Sequence, residues 1–259
     1  EMQRSLVGSE MCIRDRRRRA KQLDARGTRI RHKIGVILGK LLLIGIIVGG
    51  CATVSFGVGA FKGILASAPD ISEVDVIPTG YSTKVLAADG SETAKLVAAG
   101  SNRQYVTIDQ IPENLQHAVV AIEDERFYDH NGIDLKGIVR ALVADVRTRD
   151  FSQGASTLTQ QLIKNNVLSE QWANENDSNI SKIEKMERQV QRKIQEQYLA
   201  IELEKKVNDK NWILENYLNA INLGQNTLGV GVASERYFGK DVSDLTLSEC
   251  AVLAAITQN

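Results

Sequence analysis

Three consecutive carboxylates, Glu123-Asp124-Glu125, form the first group whose residue types and spacing could do chemistry. They stand where a predicted helix ends, and the negative end of the helix dipole disfavours each of them by a few tenths to about 1 kcal/mol. Crowded carboxylates also raise one another's pKa, which suits a general base that works near neutral pH. A solvated acidic helix end, partly neutralised by Arg126, is the alternative interpretation.

A second candidate is the segment GASTLTQQLIKN at residues 154–165, in which small residues lead into a helix. Free backbone N–H groups at a helix N-terminus attract anions. Thr157, Gln161 and Lys164 share one face of this helix, because they are four and three residues apart. An ordinary N-cap with a polar outer face is the alternative. The segment is not a nucleotide-binding P-loop, because it lacks a Gly-Lys-Ser/Thr triplet at the required distance from a glycine.

A third candidate is the pattern Arg192-Lys193-x-x-Glu196. Its spacing places two cations and a carboxylate on one helix face. Ordinary helix ion pairs explain this pattern as well as function does. Of the three histidines, only His130 lies near a candidate site, and alone it is more often a structural hydrogen-bond partner than a catalyst. The three cysteines have no metal-ligand spacing and imply no disulfide framework.

Helical periodicity predicts the elements that must position these groups. Pro112 suits a first helical position, and apolar residues at spacings of four and three follow it as far as Ile122. That helix would end at the acidic run. A second helix runs through residues 138–146, and Thr157-x-x-Gln160 fits the capping box of a third. Before these helices, Asp89-Gly90 is a turn pair between two short apolar segments and predicts a hairpin.

The C-terminal half is also helical in pattern. Apolar residues between 183 and 201 mark a long amphipathic helix, which follows a polar segment at residues 169–181 that we interpret as a mobile loop. Asn208 or Asp209 can cap the next helix, which Gly224 would end. Thr246-x-x-Glu249 begins the last helix, and we expect it to continue to the end of the sequence.

The N-terminal region differs in charge from the rest of the chain. Twelve of the 32 Lys and Arg residues lie in residues 1–40 against four acidic residues, so the remaining chain is acidic although the formal net charge is zero. Residues 41–61, LLLIGIIVGGCATVSFGVGAF, carry no charge, and as a helix they would extend about 30 Å, the thickness of a bilayer core. The basic cluster precedes this run, which predicts a cytoplasmic N-terminus and an outward-facing domain.

A cleaved signal peptide is the alternative, since Ala66-Ser67-Ala68 resembles a cleavage site, but the apolar run is longer than the usual h-region of about 7–15 residues. The first sixteen or so residues include SLVGSEMCIRDR, which resembles translated sequencing adapter and carries no inference. We therefore expect a basic cytoplasmic tail at residues 1–40, a transmembrane anchor at 41–61, a stalk and hairpin at 62–104 and a globular domain at 105–259.

Five segments resemble, in order and spacing, the motif regions of family 51 glycosyltransferases, the peptidoglycan glycosyltransferase domains of bacterial class A penicillin-binding proteins. They are AIEDERFYDHNGID, GASTLTQQLIKN, RKIQEQYLAIELE, ILENYLNAINLGQNTLGVGVASERYFGK and LSECAVLAAITQ. The resemblance covers residues 105–259. Ala155 replaces a frequent second glycine, and the loop at residues 169–190 is longer than the family pattern, but neither departure touches a catalytic position.

The resemblance implies a mainly α, lysozyme-like domain with a small β-hairpin lead-in and one N-terminal transmembrane helix. It also implies an inverting transfer that polymerises lipid II into glycan strands and releases undecaprenyl pyrophosphate. Glu123 matches the general base and Glu196 the second essential carboxylate. Ten residues match substrate contacts or the motif around the base: Asp124, Phe127, His130, Ser156, Thr157, Gln161, Lys164, Asn165, Arg192 and Lys193.

The resemblance requires no cofactor, although a divalent metal, Mg²⁺ or Mn²⁺, is compatible with the pyrophosphate. The expected partners are lipid II, the growing strand and the bacterial plasma membrane, crossed once, with cell-wall synthesis proteins as further candidates and no nucleic acid. The alternatives are a lysozyme-like hydrolase or lytic transglycosylase and a non-catalytic membrane-anchored scaffold. No Ser-x-x-Lys or Lys-Thr-Gly transpeptidase motif occurs in these residues. We expect the chain to be a fragment, with a stand-alone transglycosylase as the alternative.

Overall fold

The structure is a computed structural model that describes residues 2–72, 75–97, 102–148, 154–169, 171–172 and 180–257. Within these ranges it contains the helices α1 (Met2–Ala66), α2 (Glu113–Glu123), α3 (Leu135–Thr148), α4 (Leu158–Asn166), α5 (Lys182–Val207), α6 (Lys210–Ala220), α7 (Val230–Phe238) and α8 (Leu247–Ile256). A two-stranded sheet, β1 (Thr83–Leu86) and β2 (Glu92–Leu96), precedes α2. The mainly α architecture with a hairpin lead-in and an N-terminal apolar helix is thus confirmed.

The chain divides into two units, Glu1–Gly63 and Ile64–Asn259. The first unit is formed by α1 alone. Its segment Arg31–Ala66 has a mean hydropathy of 2.4 in its most apolar window and is long and apolar enough to cross a bilayer. The predicted anchor, residues 41–61, lies inside this segment, and the helix continues through the basic tail without a break.

The hairpin forms where the Asp89-Gly90 pair predicts it. The strands are antiparallel, with Thr83 opposite Leu96. Gly90 adopts a φ of +84°, a left-handed conformation that glycine enters without steric cost. The Asp89 side chain accepts a hydrogen bond from the backbone N–H of Ser91 at 3.0 Å, which satisfies a backbone donor inside the turn.

Among the described residues, one hydrophobic core joins α2, α4, α5, α6, α7 and α8, whereas α3 contributes no residue to it. Its central leucines come from α2, α4, α5 and α6 and are fully buried: Leu115, Leu158, Leu162, Leu199, Leu214 and Leu218. Burial of each such side chain contributes about 1.5–3 kcal/mol. In this core α4 packs against both α5 and α6, and α2 packs against α8. Helices α2 and α4, whose ends carry the site, are therefore anchored in the same core.

Several helix ends agree with the sequence, and others differ. Thr246 and Glu249 form the predicted capping box of α8, and Asp209 caps α6. Asn208 instead ends α5 in a left-handed conformation with a φ of 50°. The prediction that Gly224 ends α6 is wrong, because α6 stops at Ala220 and Gly224 lies in the following turn.

That turn, at residues 221–229, is closed by its own backbone hydrogen bonds, which compete with helix continuation. The N–H of Thr227 donates to the carbonyl of Gly224 at 2.8 Å, and the N–H of Gly229 donates to that of Ile221 at 2.8 Å. Helix α8 ends at Ile256 and has Thr257 as its C-cap, whereas the sequence predicts that it continues. Residues 258–259 lie outside the described residues.

The apolar pattern of α5 extends beyond the core. Ile183, Met186 and Val190 are 75%, 62% and 53% exposed, although their spacing marks an amphipathic helix. The reason is length, because the 26 residues of α5 span about 39 Å and the nine residues of its partner α4 only about 14 Å. Most of the loop predicted before α5, residues 170 and 173–179, lies outside the described residues.

Candidate active site

Glu123 is the last residue of α2, and side chains from two other parts of the core hold its carboxylate. Its Oε2 accepts a hydrogen bond from Gln161 Nε2 on α4 at 2.7 Å. Its Oε1 accepts one from Thr257 Oγ1, the C-cap of α8, at 2.6 Å. Gln161 is itself oriented by Tyr217 on α6, whose hydroxyl donates to Gln161 Oε1 at 3.2 Å. Contacts to both carboxylate oxygens therefore restrict the orientation of Glu123.

The buried Tyr217 hydroxyl acts as a donor to Gln161. Burial, reinforced by the nearby negative charges of Glu123 and Asp124, raises the pKa of Tyr217 far above its ordinary value. The phenol therefore keeps its proton at any working pH. Its hydrogen bond leaves the amide nitrogen of Gln161 directed at Glu123.

The three carboxylates of the acidic run have different partners and different roles. Asp124 is buried and accepts hydrogen bonds from the backbone N–H of Leu158 and from His130 Nε2, each at 3.0 Å. Glu125 lies at the surface and forms ion pairs with Arg126 at 3.5 Å and Arg140 at 3.4 Å. Of the three carboxylates, only Glu125 fits the alternative interpretation of a solvated acidic helix end. Glu123 lies at a pocket, and Asp124 is buried inside the fold.

The turn after the acidic run is tied to the start of α4. The Gly132 carbonyl accepts hydrogen bonds from Thr157 Oγ1 at 2.8 Å and Gln160 Nε2 at 3.2 Å. Thr157 caps α4 as predicted, but the capping box does not close, because the Gln160 side chain bonds to Gly132 instead of the Thr157 backbone. Together with Asp124, which binds Leu158 N, these bonds fix the N-terminal end of α4 beside Glu123.

The same turn contains an ion pair and a buried aromatic ring. Arg126 Nε donates to Asp134 Oδ2 at 3.0 Å, and this guanidinium holds the pKa of the Asp134 carboxyl below its usual range. Phe127 is fully buried in the core, and the Lys210 ammonium lies 4.5 Å from the centre of its ring. Phe127 therefore acts on the site through packing.

The second acidic residue, Glu196, is only 2% exposed and is paired with two cations of its own helix. Arg192 forms an ion pair with its Oε1, and Lys193 Nζ lies 3.2 Å from its Oε2. Lys193 also donates to Ser156 Oγ at 2.5 Å and Gln160 Oε1 at 3.1 Å. The cluster thus links α5 to the N-terminal end of α4.

A polar pocket of about 300 Å³ joins the two carboxylates. Its lining residues are Ile122, Glu123, Gly154, Ser156, Gln160, Gln161, Lys164, Asn165 and Glu196. A neighbouring pocket of about 250 Å³ shares Glu123, Gly154 and Ser156 and extends past Asp124 and Thr157. Lys164 and Asn165 are exposed at the pocket.

The sequence-predicted site residues therefore fall into two groups. Six of the twelve line the 300 Å³ pocket directly: Glu123, Ser156, Gln161, Lys164, Asn165 and Glu196. Arg192 and Lys193 join it through Glu196, and Asp124, Phe127, His130 and Thr157 support it from behind. Among the described residues, no cluster of three or more His, Cys, Asp or Glu side chains could hold a metal ion.

Five residues that line or contact the site were not among the predicted site residues: Ile122 and Gly154, which line the pocket, and Gln160, Tyr217 and Thr257. The sequence marks Gln160 only as the capping-box partner of Thr157, whereas its side chain donates to the Gly132 carbonyl and accepts from Lys193. Tyr217 and Thr257 reach the site from α6 and α8, across 56 and 134 residues of sequence. No local pattern signals contacts over such separations.

Comparison with known proteins agrees with this geometry. The Transglycosylase family profile matches residues 89–259, about two thirds of the chain. Penicillin-binding protein 1A of Clostridium perfringens strain 13 is 40% identical over 224 residues, which are 85% of this chain and 30% of that protein. Penicillin-binding protein 1A of Escherichia coli K12 is 40% identical over 199 residues, which are 76% of this chain and 21% of that protein.

A third relative, penicillin-binding protein 1A of Clostridium botulinum strain Langeland, is 39% identical over 228 residues, or 86% of this chain and 25% of that protein. The chain thus spans between a fifth and a third of the length of these relatives. Their similarity falls on the part that holds the pocket carboxylates. The chain belongs to the transglycosylase family and carries its peptidoglycan glycosyltransferase domain.

Proposed function

We propose that this chain polymerises lipid II into glycan strands by an inverting transfer in which Glu123 is the general base. Glu123 would take the proton from the 4-hydroxyl of the acceptor's N-acetylglucosamine. The oxygen then attacks the anomeric carbon of the muramic unit at the end of the growing chain, and undecaprenyl pyrophosphate departs with the electrons of the broken bond. The observation that carries this proposal is the oriented Glu123 carboxylate at a pocket that also contains Glu196 and Lys164.

A general base must be accessible to its substrate and held in one orientation. Glu123 meets both requirements, since it lines the pocket and receives donors on both oxygens. Asp124 and Glu125 do not, because Asp124 is 6% exposed and bound to Leu158 and His130, and Glu125 pairs with surface arginines. The place of Glu123 in the fold thus supports its assignment as the base.

The departing diphosphate needs cations placed in advance, because its charge builds up as the bond breaks. Lys164 is exposed at the pocket and has no ion pair with another residue of the described ranges, so its ammonium is available to a ligand. Arg192 and Lys193 add positive charge beside Glu196. We propose that these three cations bind the pyrophosphate, with Glu196 setting the positions of Arg192 and Lys193. Ser156, Gln161 and Asn165 would contact the sugars.

The hydrolase alternative uses two carboxylates across a glycosidic bond but has no need for cations that face a diphosphate. Lys164 at the pocket therefore favours the transferase. A non-catalytic scaffold would not require an oriented carboxylate at a polar pocket. We also propose that α1 anchors the chain in the bacterial plasma membrane with its basic N-terminus in the cytoplasm, because the arginine-rich segment precedes the apolar run. Cell-wall synthesis proteins remain candidate partners.

The test supplies the purified protein in detergent with lipid II and, separately, with finished glycan strands. We expect polymer and free undecaprenyl pyrophosphate from lipid II and no product from the strands. Glu123→Gln should fold and bind lipid II but lose about 10²–10⁴-fold in rate. Glu125→Gln is the matched control, because the Glu125 side chain is 66% exposed and pairs with Arg126 and Arg140, and it should keep its activity.

A second arm tests the cation cluster. Lys164→Ala should weaken binding of diphosphate-bearing lipids more than binding of plain sugar chains, by about 1.5–3 kcal/mol for a lost charge-assisted contact. Lys205→Ala, which removes an exposed lysine of α5, is its control. Cleavage of finished strands without polymer from lipid II would reject the transferase in favour of the hydrolase. Full activity of Glu123→Gln would reject the assignment of Glu123 as the base.

A further inference from the structure

The Thr257 hydroxyl has two acceptors but only one hydrogen. Its Oγ1 lies 2.6 Å from Glu123 Oε1 and 2.7 Å from the carbonyl oxygen of Ala254, one turn earlier in α8. A hydroxyl carries one donor hydrogen and two lone pairs, so it can direct that hydrogen fully at only one of them. Two arrangements therefore fit the same atomic positions, and they differ in which partner of the Thr257–Glu123 contact supplies the hydrogen.

The other oxygen of Glu123 lacks this freedom. Its Oε2 faces the Gln161 amide nitrogen, which donates hydrogen bonds and cannot accept them. In the observed orientation the amide oxygen of Gln161 accepts from the Tyr217 hydroxyl, which keeps its proton because burial raises its pKa, and this bond favours the amide nitrogen facing Oε2. The contact through Oε2 thus suits a carboxylate that only accepts. The contact through Oε1 can serve both an ionised carboxylate and a protonated carboxyl group.

We propose that Thr257 is a positioning residue whose hydroxyl rotates with each proton transfer at Glu123. When Glu123 is ionised, Thr257 donates to Oε1, and Oε1 and Oε2 both accept. When Glu123 has taken the proton of the acceptor's 4-hydroxyl, it holds this proton at Oε1 and donates it to Thr257 Oγ1, while the Thr257 hydrogen turns to the Ala254 carbonyl. Release of the proton to solvent restores the first arrangement. This inference rests on the proposed role of Glu123 as the base.

Four charged or titratable groups of the described ranges lie near Glu123 or line its pocket, and each has a different place: Asp124, Lys164, Glu196 and Tyr217. Asp124, the next residue, is bound to Leu158 N and His130, and Tyr217 reaches Glu123 through Gln161. Lys164 and Glu196 belong to other parts of the pocket wall. Thr257 is not among the residues that line this pocket, so its hydroxyl acts on the reaction through Glu123.

The test compares the full chain with Thr257→Val, which keeps the shape of the side chain and removes the hydroxyl, and Thr257→Ser, which keeps the hydroxyl. We expect Thr257→Val to lower kcat for lipid II polymerisation about tenfold with little change in KM, since one hydrogen bond to a charged group is lost. Thr257→Ser should return to within about twofold of the wild type.

The decisive measurement repeats Thr257→Val in the Glu123→Gln background. If Thr257 acts through the carboxylate, this second substitution should leave the residual rate unchanged, whereas a structural role would lower it by the same factor as before. Thr257→Ala checks that the methyl groups of valine are not responsible, and tryptophan fluorescence checks folding. Wild-type kcat in Thr257→Val, or an undiminished effect in the double variant, would overturn the proposal. Full activity of Glu123→Gln alone would instead overturn the assignment of the base.

Discussion

Replacing Lys193 by methionine tests how much the buried cluster around Glu196 depends on its second cation. The substitution keeps the length of the side chain and removes three contacts of Nζ, to Ser156, Gln160 and Glu196, at 2.5, 3.1 and 3.2 Å. Glu196 is 2% exposed, so solvent replaces the lost partner poorly.

The expected loss of unfolding free energy in Lys193→Met depends on the burial of Glu196 and of Lys193. Removing the only partner of a buried charge costs about 3–5 kcal/mol. Arg192 still pairs with Glu196, and the Lys193 side chain is itself 39% exposed and partly screened by water. We therefore expect the free energy of unfolding to fall by about 2 kcal/mol, below the full cost of an unpaired buried charge.

Lys205→Met is the matched control. Lys205 lies on the same helix and also pairs with a glutamate three residues away, but the side chains of Lys205 and Glu202 are 64% and 32% exposed. An exposed pair of this kind contributes about 0–1 kcal/mol. The two variants lose the same charge and gain the same side chain, so the difference between them reports the partners of the Lys193 ammonium, which are the buried Glu196 carboxylate and the neighbouring Ser156 and Gln160.

Urea unfolding in detergent, followed by tryptophan fluorescence, measures both variants. The two tryptophans of the chain, Trp172 and Trp212, belong to the second unit, so their signal reports this domain and not α1. The midpoint should fall clearly in Lys193→Met and hardly at all in Lys205→Met, with the same slope in both. Equal losses in the two variants would refute the reasoning that burial of Glu196 makes its partner important.

Three further predictions concern stability and topology. Lys240 and Thr246 hold the pKa of Glu249 at about 2, below its ordinary 4.5, so the stability from this carboxylate is present above pH 4.5 and is lost as the pH falls toward 2. Glu249→Gln should accordingly flatten the dependence of unfolding free energy on pH in that window, and an unchanged slope would contradict the pairing. Gly132→Ala should lower the free energy of unfolding by about 3 kcal/mol and Gly90→Ala by about 1 kcal/mol. Both residues have a φ of +84°, but only at Gly132 would the new Cβ meet a backbone oxygen, that of Ala200, at 2.6 Å. Equal losses of unfolding free energy in denaturant titrations would show that this contact relaxes. In sealed vesicles with the cytoplasmic face outward, protease should digest the basic tail and leave the residues after Ala68 intact, and the reverse pattern would reject the proposed orientation.

Local patterns in the sequence determined most of the helices and one complete part of the site. Arg192, Lys193 and Glu196 are three and four residues apart on one helix, so their spacing alone predicts that the charges meet, and they do. The Asp89-Gly90 turn and the cap of α8 depend equally on neighbouring residues. In each case the partners are close in sequence, so local backbone geometry brings them together independently of the rest of the fold.

Only the tertiary structure decided which carboxylate of Glu123-Asp124-Glu125 reaches the pocket and what holds it there. The three side chains leave the end of α2 in different directions, and their partners lie on α3, α4 and the end of α8. The bond between Glu123 and Thr257 joins residues 134 positions apart, and it exists because α2 packs against α8 in the core. Periodicity predicts which face of a helix is apolar. The element that packs on that face depends on how all the helices pack together, so local spacing cannot predict it.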